Sequence, residues 1–191
     1  MDKALAKVRH ERSKKDFPFL KLDEDEYVEF AFSRARVCLA MIFGGVALSL
    51  ILLLLTFLVV IAGQPELDES GRKFWYIILM VLVVMAILIG LTALLIYRGN
   101  KLFITNKHVI QMIMKTPVAT SMNMIDLSSI EDASFQQNGI TQKMFHYGTL
   151  RLSTVGDETT YTFEYADVSQ NELKEISKLV TEAKKATKKD A

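Results

Sequence analysis

The stretch LLIYRGNKLFITNKHVIQMIM, from Leu94 to Met114, changes character within a few residues. It begins as the end of a long apolar run, which the four residues Arg98–Lys101 interrupt. From Leu102 onward apolar and polar residues alternate, which is the period of a half-buried β-strand. The sequence therefore predicts that an apolar helix passes into a sheet without a flexible linker between them.

Two apolar runs precede this junction, Val37–Ala62 and Phe74–Tyr97. Each is longer than the roughly 20 apolar residues that cross the hydrocarbon core of a bilayer, so we expect two transmembrane helices. The alternatives are buried core helices, which rarely stay uncharged for so long, and a signal peptide, whose apolar region is shorter. Neither run contains Asp, Glu, Lys, Arg or His, the side chains that proton relays and intramembrane catalysis need.

Lysine and arginine residues near the ends of the runs predict the orientation. Two crossings place both termini on one side, and that side has more of these residues than the loop 63–73. We therefore expect a cell-membrane protein with both termini in the cytoplasm. The basic residues counted for that side are Arg34, Arg36, Arg98, Lys101 and Lys107, against Arg72 and Lys73 in the loop. Arg98, Lys101 and Lys107 are also candidate contacts with the membrane surface, although orientation signalling alone explains them.

The polar segment 1–36 has two readings near its end. Tyr27, Phe30 and Arg34 fall at helical spacing, which is typical of an interfacial helix before the first membrane span. The same stretch, YVEFAF, also alternates like a strand.

Residues beyond the junction read as short strands separated by turns, followed by a helix. Ser169 and Glu172 form a capping box at the start of that helix, and apolar residues then recur at helical spacing. A lysine-rich tail, KKATKKDA, ends the chain. The predicted strands are Lys101–Thr105, His108–Met114, Pro117–Asp126, Ser129–Gln136, Thr149–Val155 and Glu158–Tyr165, with a turn at Gly156-Asp157 and a loop or short helix from Gln137 to Gly148.

The predicted fold class is thus α+β, in three parts. Residues 1–36 form a polar N-terminal segment, and residues 37–98 form a hairpin of two transmembrane helices (37–62 and 74–97). Residues 99–191 form a bent sheet or barrel whose opening is covered by the C-terminal helix, because the apolar face of that helix needs a partner.

This order of elements resembles the pleckstrin-homology (PH) superfold, and more narrowly the bacterial PH-like, membrane-flanked domain proteins. The resemblance rests on the paired apolar runs and on short segments listed here: LFITNKHVI (102–110), IDLSSIEDASF (125–135), YGTLRLST (147–154) and DEDEYVEFAFSRAR (23–36). It implies a PH-like cytoplasmic domain, and it implies no catalytic activity that can be assigned to named residues.

Residue patterns that carry chemistry are missing from the sequence. His10, His108 and His146 have no metal-type spacing, and Cys38 is the single cysteine. There is no glycine-rich phosphate loop or nucleophile motif, and no basic stretch of the kind that binds nucleic acid. We therefore expect no enzyme, no cofactor, no metal site and no nucleic-acid partner.

The function we expect is a membrane-anchored adaptor or scaffold that binds a protein partner or a second copy of itself. The alternatives are a sensor of anionic lipids and an accessory subunit of a transporter or enzyme complex. Pairs of small residues in the runs suit either a dimer face or packing of the two helices within one chain. These pairs are Ala40/Gly44, Gly45/Ser49 and Ala86/Gly90.

Overall fold

The computed structural model describes residues 3–63, 68–154 and 160–190. These residues form two compact units. The helix unit consists of Arg36–Tyr97 together with Thr116–Val118, and the described remainder of the chain forms the sheet unit. Each unit has its own architecture.

The elements follow one another in a simple order along the chain. They are α1 (Lys3–Asp16), β1 (Val28–Ser33), α2 (Val37–Ala62), α3 (Glu69–Gly99), β2 (Lys101–Thr105), β3 (His108–Thr116), β4 (Ala119–Asp126), a 3₁₀ turn (Leu127–Ser129), β5 (Ile130–Gln136), α4 (Ile140–Met144), β6 (Gly148–Thr154), β7 (Thr160–Ala166) and α5 (Gln170–Asp190).

The helix unit contains α2 and α3, both long and apolar enough to cross a membrane. Helix α2 has the predicted bounds, whereas α3 begins at Glu69, before the predicted start at Phe74. Polar groups support this extra turn: Asp68 accepts a hydrogen bond from the Gly71 amide at 2.8 Å, and Lys73 forms an ion pair with Glu69 at 2.9 Å. The apolar stretches of both helices are not buried within the protein, so they leave a large apolar surface.

Gly90 of α3 lies close to Val46 of α2. A Cβ atom at this position would lie 2.6 Å from Cγ2 of Val46, so only glycine fits without movement. A Cβ atom at Gly44 or Gly45 would meet no atom of the described residues within 4 Å. Gly90 of the Ala86/Gly90 pair therefore packs against α2 within one chain, whereas Gly44 and Gly45 of the other two pairs make no such contact.

Two antiparallel sheets make up the sheet unit, with strand orders β1-β2-β3-β4 and β5-β6-β7. A bridge between Arg34 and Ala166 joins the end of β1 to the end of β7. The amide of Ala35 also donates a hydrogen bond to the carbonyl of Tyr165 at 2.7 Å. The two sheets are thus linked at one corner, as a bent PH-like sheet requires.

Within the polar N-terminal segment 1–36, residues 28–33 form β1, the first strand of the four-stranded sheet. Phe32 pairs with Leu102 of β2, and both side chains are buried. Of the two structures predicted for this stretch, the strand is therefore the one that forms, and the interfacial helix does not. Helix α1 packs on β1, and the buried Ser13 hydroxyl accepts a hydrogen bond from the Val28 amide at 3.0 Å.

The six strands predicted beyond the junction correspond to β2–β7, and the loop or short helix predicted before β6 contains α4. The turn predicted at Gly156-Asp157 lies outside the described residues. The α+β fold class is therefore confirmed, with β1 as an additional strand.

Helix α5 closes the main core of the sheet unit. The capping box is confirmed: Ser169 N donates to Glu172 Oε2 at 2.7 Å, and Glu172 N donates to Ser169 Oγ at 3.2 Å. Ile176 and Val180 are buried among core residues of both sheets, which include Ile104 of β2. The predicted apolar face of this helix therefore packs on the sheets, and it is completed by the partly buried Leu173, Leu179 and Ala183.

Replacing Ile176 with Asp should unfold the sheet unit. The side chain is fully buried, and an unpaired buried charge together with the lost apolar contacts costs several kcal/mol, out of the roughly 5–15 kcal/mol by which domains are stable. Trypsin resistance of the full chain in detergent measures the effect. The matched control is Ser177→Asp, because Ser177 is exposed on the same helix. Wild-type resistance of Ile176→Asp would contradict this role of α5.

Candidate functional site

The junction between α3 and β2 consists of Asn100. Its buried side chain pairs with the backbone of Met114 on β3, donating to the carbonyl at 3.2 Å and accepting from the amide at 3.3 Å. The preceding Gly99 is required by close approach, because a Cβ atom there would lie 2.5 Å from Sδ of Met114. Gly99 and Asn100 therefore pack against Met114 of the β2–β3 hairpin.

The three predicted membrane-surface residues do not come together as one cluster. Arg98 lies in the last turn of α3, and Lys101 begins β2 with its ammonium 5.3 Å from the ring centroid of Phe19. Lys107 lies beyond the other end of β2, roughly 13 Å or more along the strand, and donates to the carbonyl of Glu24 at 2.7 Å. Only Arg98 and Lys101 are near the junction.

A buried carboxylate fastens the N-terminal residues to the β2–β3 turn. Glu26 Oε1 accepts a hydrogen bond from Thr105 Oγ1 at 2.6 Å and lies 2.9 Å from His108 Nδ1. Its Oε2 accepts from the Asp23 amide at 2.9 Å. Asn106 adds two hydrogen bonds from the same turn, accepting from the Tyr27 amide and donating to the Asp25 carbonyl.

The pKa of Glu26 reflects two opposing effects. Burial by itself raises the pKa, because it disfavours the charged form. The hydrogen bonds from Thr105, the Asp23 amide and His108, with the charge of His108, outweigh burial and hold the pKa below its ordinary value. The carboxylate is therefore ionised at neutral pH, and both of its oxygens have partners.

The same residues are a candidate cation site, since ligand atoms of Asp23, Glu26 and His108 lie within 4.8 Å of one another. The hydrogen bonds to Glu26 already account for its buried charge, so the arrangement is explained without a metal ion. Sequence patterns could not reveal this network, because His108 is 82 residues away from Glu26 and short metal motifs rely on close spacing.

A cavity of about 850 Å³ lies where the end of β5, helix α4 and the start of α5 meet. Its apolar lining comes from Phe135, Val168 and Leu173. Its charged and titratable lining comes from Lys143, His146, Asp167 and Lys174. Pockets of this size with an apolar lining and a few polar groups are typical of ligand sites.

Helix α4 lies within a loop of residues 137–147, here called the α4 loop. Residues with positive φ angles lie on both sides of the helix. Gly139 and His146 have φ angles of 115° and 53°, and a left-handed conformation is uncommon for a residue with a side chain. Gln137 Nε2 ties the loop together by donating to the carbonyls of Gln142 and Tyr147. The loop presents exposed apolar side chains beside the cavity, namely Ile140, Met144 and Phe145.

Sequence reasoning did not find this cavity. Lys143 and His146 lie in the segment that the sequence predicts as a loop or short helix, and Lys174 lies on the polar face of α5. No spacing in the sequence connects them, because the fold brings residues from three separate elements together.

Comparison with known proteins gives one family. The family model described as the bacterial PH domain matches residues 37–184, which is more than half of the chain. The chain is also similar to a DUF1696 family protein with a pleckstrin-homology domain from Shewanella loihica PV-4. That similarity has 15% sequence identity and a TM-score of 0.33, and covers 44% of this chain and 70% of the other. No curated protein matches the chain.

Replacing Glu26 with Gln should destabilise the sheet unit by about 2 kcal/mol at pH 6–7, since hydrogen bonds to a charged group are lost. Because the folded pKa of Glu26 is lowered, its contribution is present above the unfolded pKa and is lost as pH falls through the folded pKa. The difference in the free energy of unfolding between wild type and Glu26→Gln should therefore shrink below about pH 4.5. Urea unfolding in detergent, followed by circular dichroism between pH 3 and 7, measures it.

Glu24→Gln is the control, because Glu24 is an exposed carboxylate two residues away. A pH-independent difference between wild type and Glu26→Gln would contradict the role given to the ionised carboxylate.

Proposed function

Because the chain belongs to the bacterial PH domain family, we propose that it is a noncatalytic adaptor or scaffold that two transmembrane helices anchor in the cell membrane. The family match confirms the resemblance read from the sequence. PH-like families are generally noncatalytic, and their sheets present edges and concave faces that suit the capture of a protein partner.

Membrane anchoring is supported by the length and surface of the helix unit. Helix α2 has 26 residues and is therefore about 39 Å long, enough to cross a hydrocarbon core of about 30 Å. Helix α3 has 31 residues. A surface this apolar is stable against lipid tails and costly against water.

The single observation that carries the proposal is the way in which the helices are inserted into the sheet unit. Strands β1 and β2 are direct neighbours, and Ser33 pairs with Lys101. The chain leaves the sheet just after Ser33 to form α2 and α3, and it returns through Asn100. Two short attachments, one at each end of the hairpin, restrain a domain more than one flexible tether does.

We infer that this double attachment keeps the start of β2 near the lipid headgroups, with both termini in the cytoplasm. Arg98 and Lys101 are then placed to contact anionic headgroups, each contributing about 1 kcal/mol. Lys107 is further from the junction along the chain and is engaged with Glu24. A fixed height above the membrane would be part of how the adaptor presents its binding surface.

Reporter fusions test the proposed topology. An alkaline phosphatase or fluorescent-protein reporter fused after Lys115 should report a cytoplasmic position, and a reporter within residues 65–70 should report an external one, as the distribution of Lys and Arg predicts. The two sites are each other's control. An external reading after Lys115 would contradict the orientation.

Inserting a flexible Gly/Ser segment of about 15 residues at each of the two attachments, between Ala35 and Arg36 and between Gly99 and Asn100, tests fixed placement. Such a segment allows an excursion of roughly 20 Å, while Asn100 keeps its hydrogen bonds to Met114. A water-sensitive fluorophore on cysteine at position 115, in a Cys38→Ser background, should move from a membrane-proximal to a water-like environment. The same label at position 107 is the control and should change less. A fully water-like signal at position 115 before insertion would contradict fixed placement.

A further inference from the structure

We propose that the cavity between β5, α4 and α5 binds an extended peptide segment of a protein partner, by strand addition to β5 and recognition of an acidic side chain. The inference rests on the proposed adaptor function and deepens it by naming the site and the chemistry of the partner. Shape, backbone and charge each contribute an argument.

The edge of β5 supplies the backbone part of the site. In the order β5-β6-β7, β5 lies at one end, and residues Ser134–Gln136 pair with β6 on their other side. An edge strand presents amide and carbonyl groups that an extended chain can pair with. Phe135 on this strand lines the cavity, so a peptide paired here would place side chains into it.

Helix α5 forms the other side of this groove. In the C-terminal part of the helix, Lys184 donates a hydrogen bond at 3.3 Å to the carbonyl of Glu131. Glu131 lies at the beginning of β5, so this end of the strand edge is occupied. Near the start of the helix, Leu173 and Lys174 line the cavity together with Phe135 from the end of β5. The lysine therefore covers one end of the strand, and the cavity lies at the other end.

The charges around the cavity favour an acidic ligand. The lining contains two lysines, Lys143 and Lys174, but a single carboxylate, that of Asp167. The capping box occupies the start of α5, since the Glu172 carboxylate accepts from the Ser169 amide and the Glu172 amide donates to the Ser169 hydroxyl. We therefore assign anion binding to the lysines. An Asp or Glu of the peptide would bind the lysines, while its apolar neighbours contact Phe135, Val168 and Leu173.

A peptide fits these features better than a lipid surface does. The exposed Ile140, Met144 and Phe145 of the α4 loop would suit either partner. An edge strand beside an apolar cavity, however, is specific for a chain that has its own amides and alternating side chains. A lipid surface would use neither feature.

Fluorescence anisotropy with the full chain in detergent micelles tests the proposal. The probes are three fluorescein-labelled nine-residue peptides of alternating Val and Thr with Asp, Ala or Lys at the centre. The Asp peptide should bind about tenfold more tightly than the Lys peptide. The double variant Lys143→Glu/Lys174→Glu should reverse that order, because both lysines are exposed and their replacement leaves the core intact.

Two controls make the result specific. Lys178→Glu changes the same residue type one turn further along α5, outside the cavity lining, and should keep the wild-type preference. Methylating alternate amide nitrogens of the Asp peptide should abolish binding, because it removes the amides that pair with β5.

Three outcomes would overturn the proposal: an unchanged preference in the double variant, unchanged binding of the methylated Asp peptide, or no binding by any of the peptides. In the last case, binding to phosphatidylglycerol vesicles that the double variant loses would assign the cavity to a lipid headgroup. The adaptor function is tested separately by the protein that accompanies the chain through purification from native membranes. If the same partner accompanies wild type and the double variant equally, the adaptor function stands and the assignment of the cavity is wrong.

Discussion

The pairing of β1 with β2 is the constraint on which the rest of the structure depends. The two strands are neighbours in one sheet, with Phe32 opposite Leu102 and Ser33 opposite Lys101, yet the whole apolar hairpin separates them in the chain. Opposite residues of an antiparallel pair lie about 5 Å apart, so the hairpin must leave and return at the same place. Residues before the first apolar run therefore complete the sheet that follows the second.

Polar side chains reinforce this pairing from the far end of β2. Glu26 and Asn106 connect the segment before β1 to the β2–β3 turn through hydrogen bonds between residues that the inserted helices separate in the chain. A buried carboxylate is stable only where donors surround it, so the network specifies one arrangement of these segments. Near the start of β2, Asn100 pairs with Met114 in a similar way.

The remaining elements of the sheet unit divide between stability and recognition. Helix α5 contributes Ile176 and Val180 to the core, and its polar face carries Lys174 at the cavity and Lys184 at the edge of β5. One helix thus closes the core and leaves only part of a strand edge open. This arrangement is compatible with the adaptor function proposed above.

The sequence by itself determined the two apolar helices, the six strands after them, the capping box and the apolar face of α5, because each depends on local periodicity and neighbouring residues. It left both helix and strand open for residues 27–34, because the spacing of apolar residues there fits either structure. Pairing with β2, which only the tertiary structure provides, selects the strand. Helix α1 was missed because KALAKVRHERSKKD has little apolar face. The Glu26–His108 network and the cavity were decided by tertiary structure alone, because their residues are distant in the chain and only the fold brings them within hydrogen-bonding or binding distance.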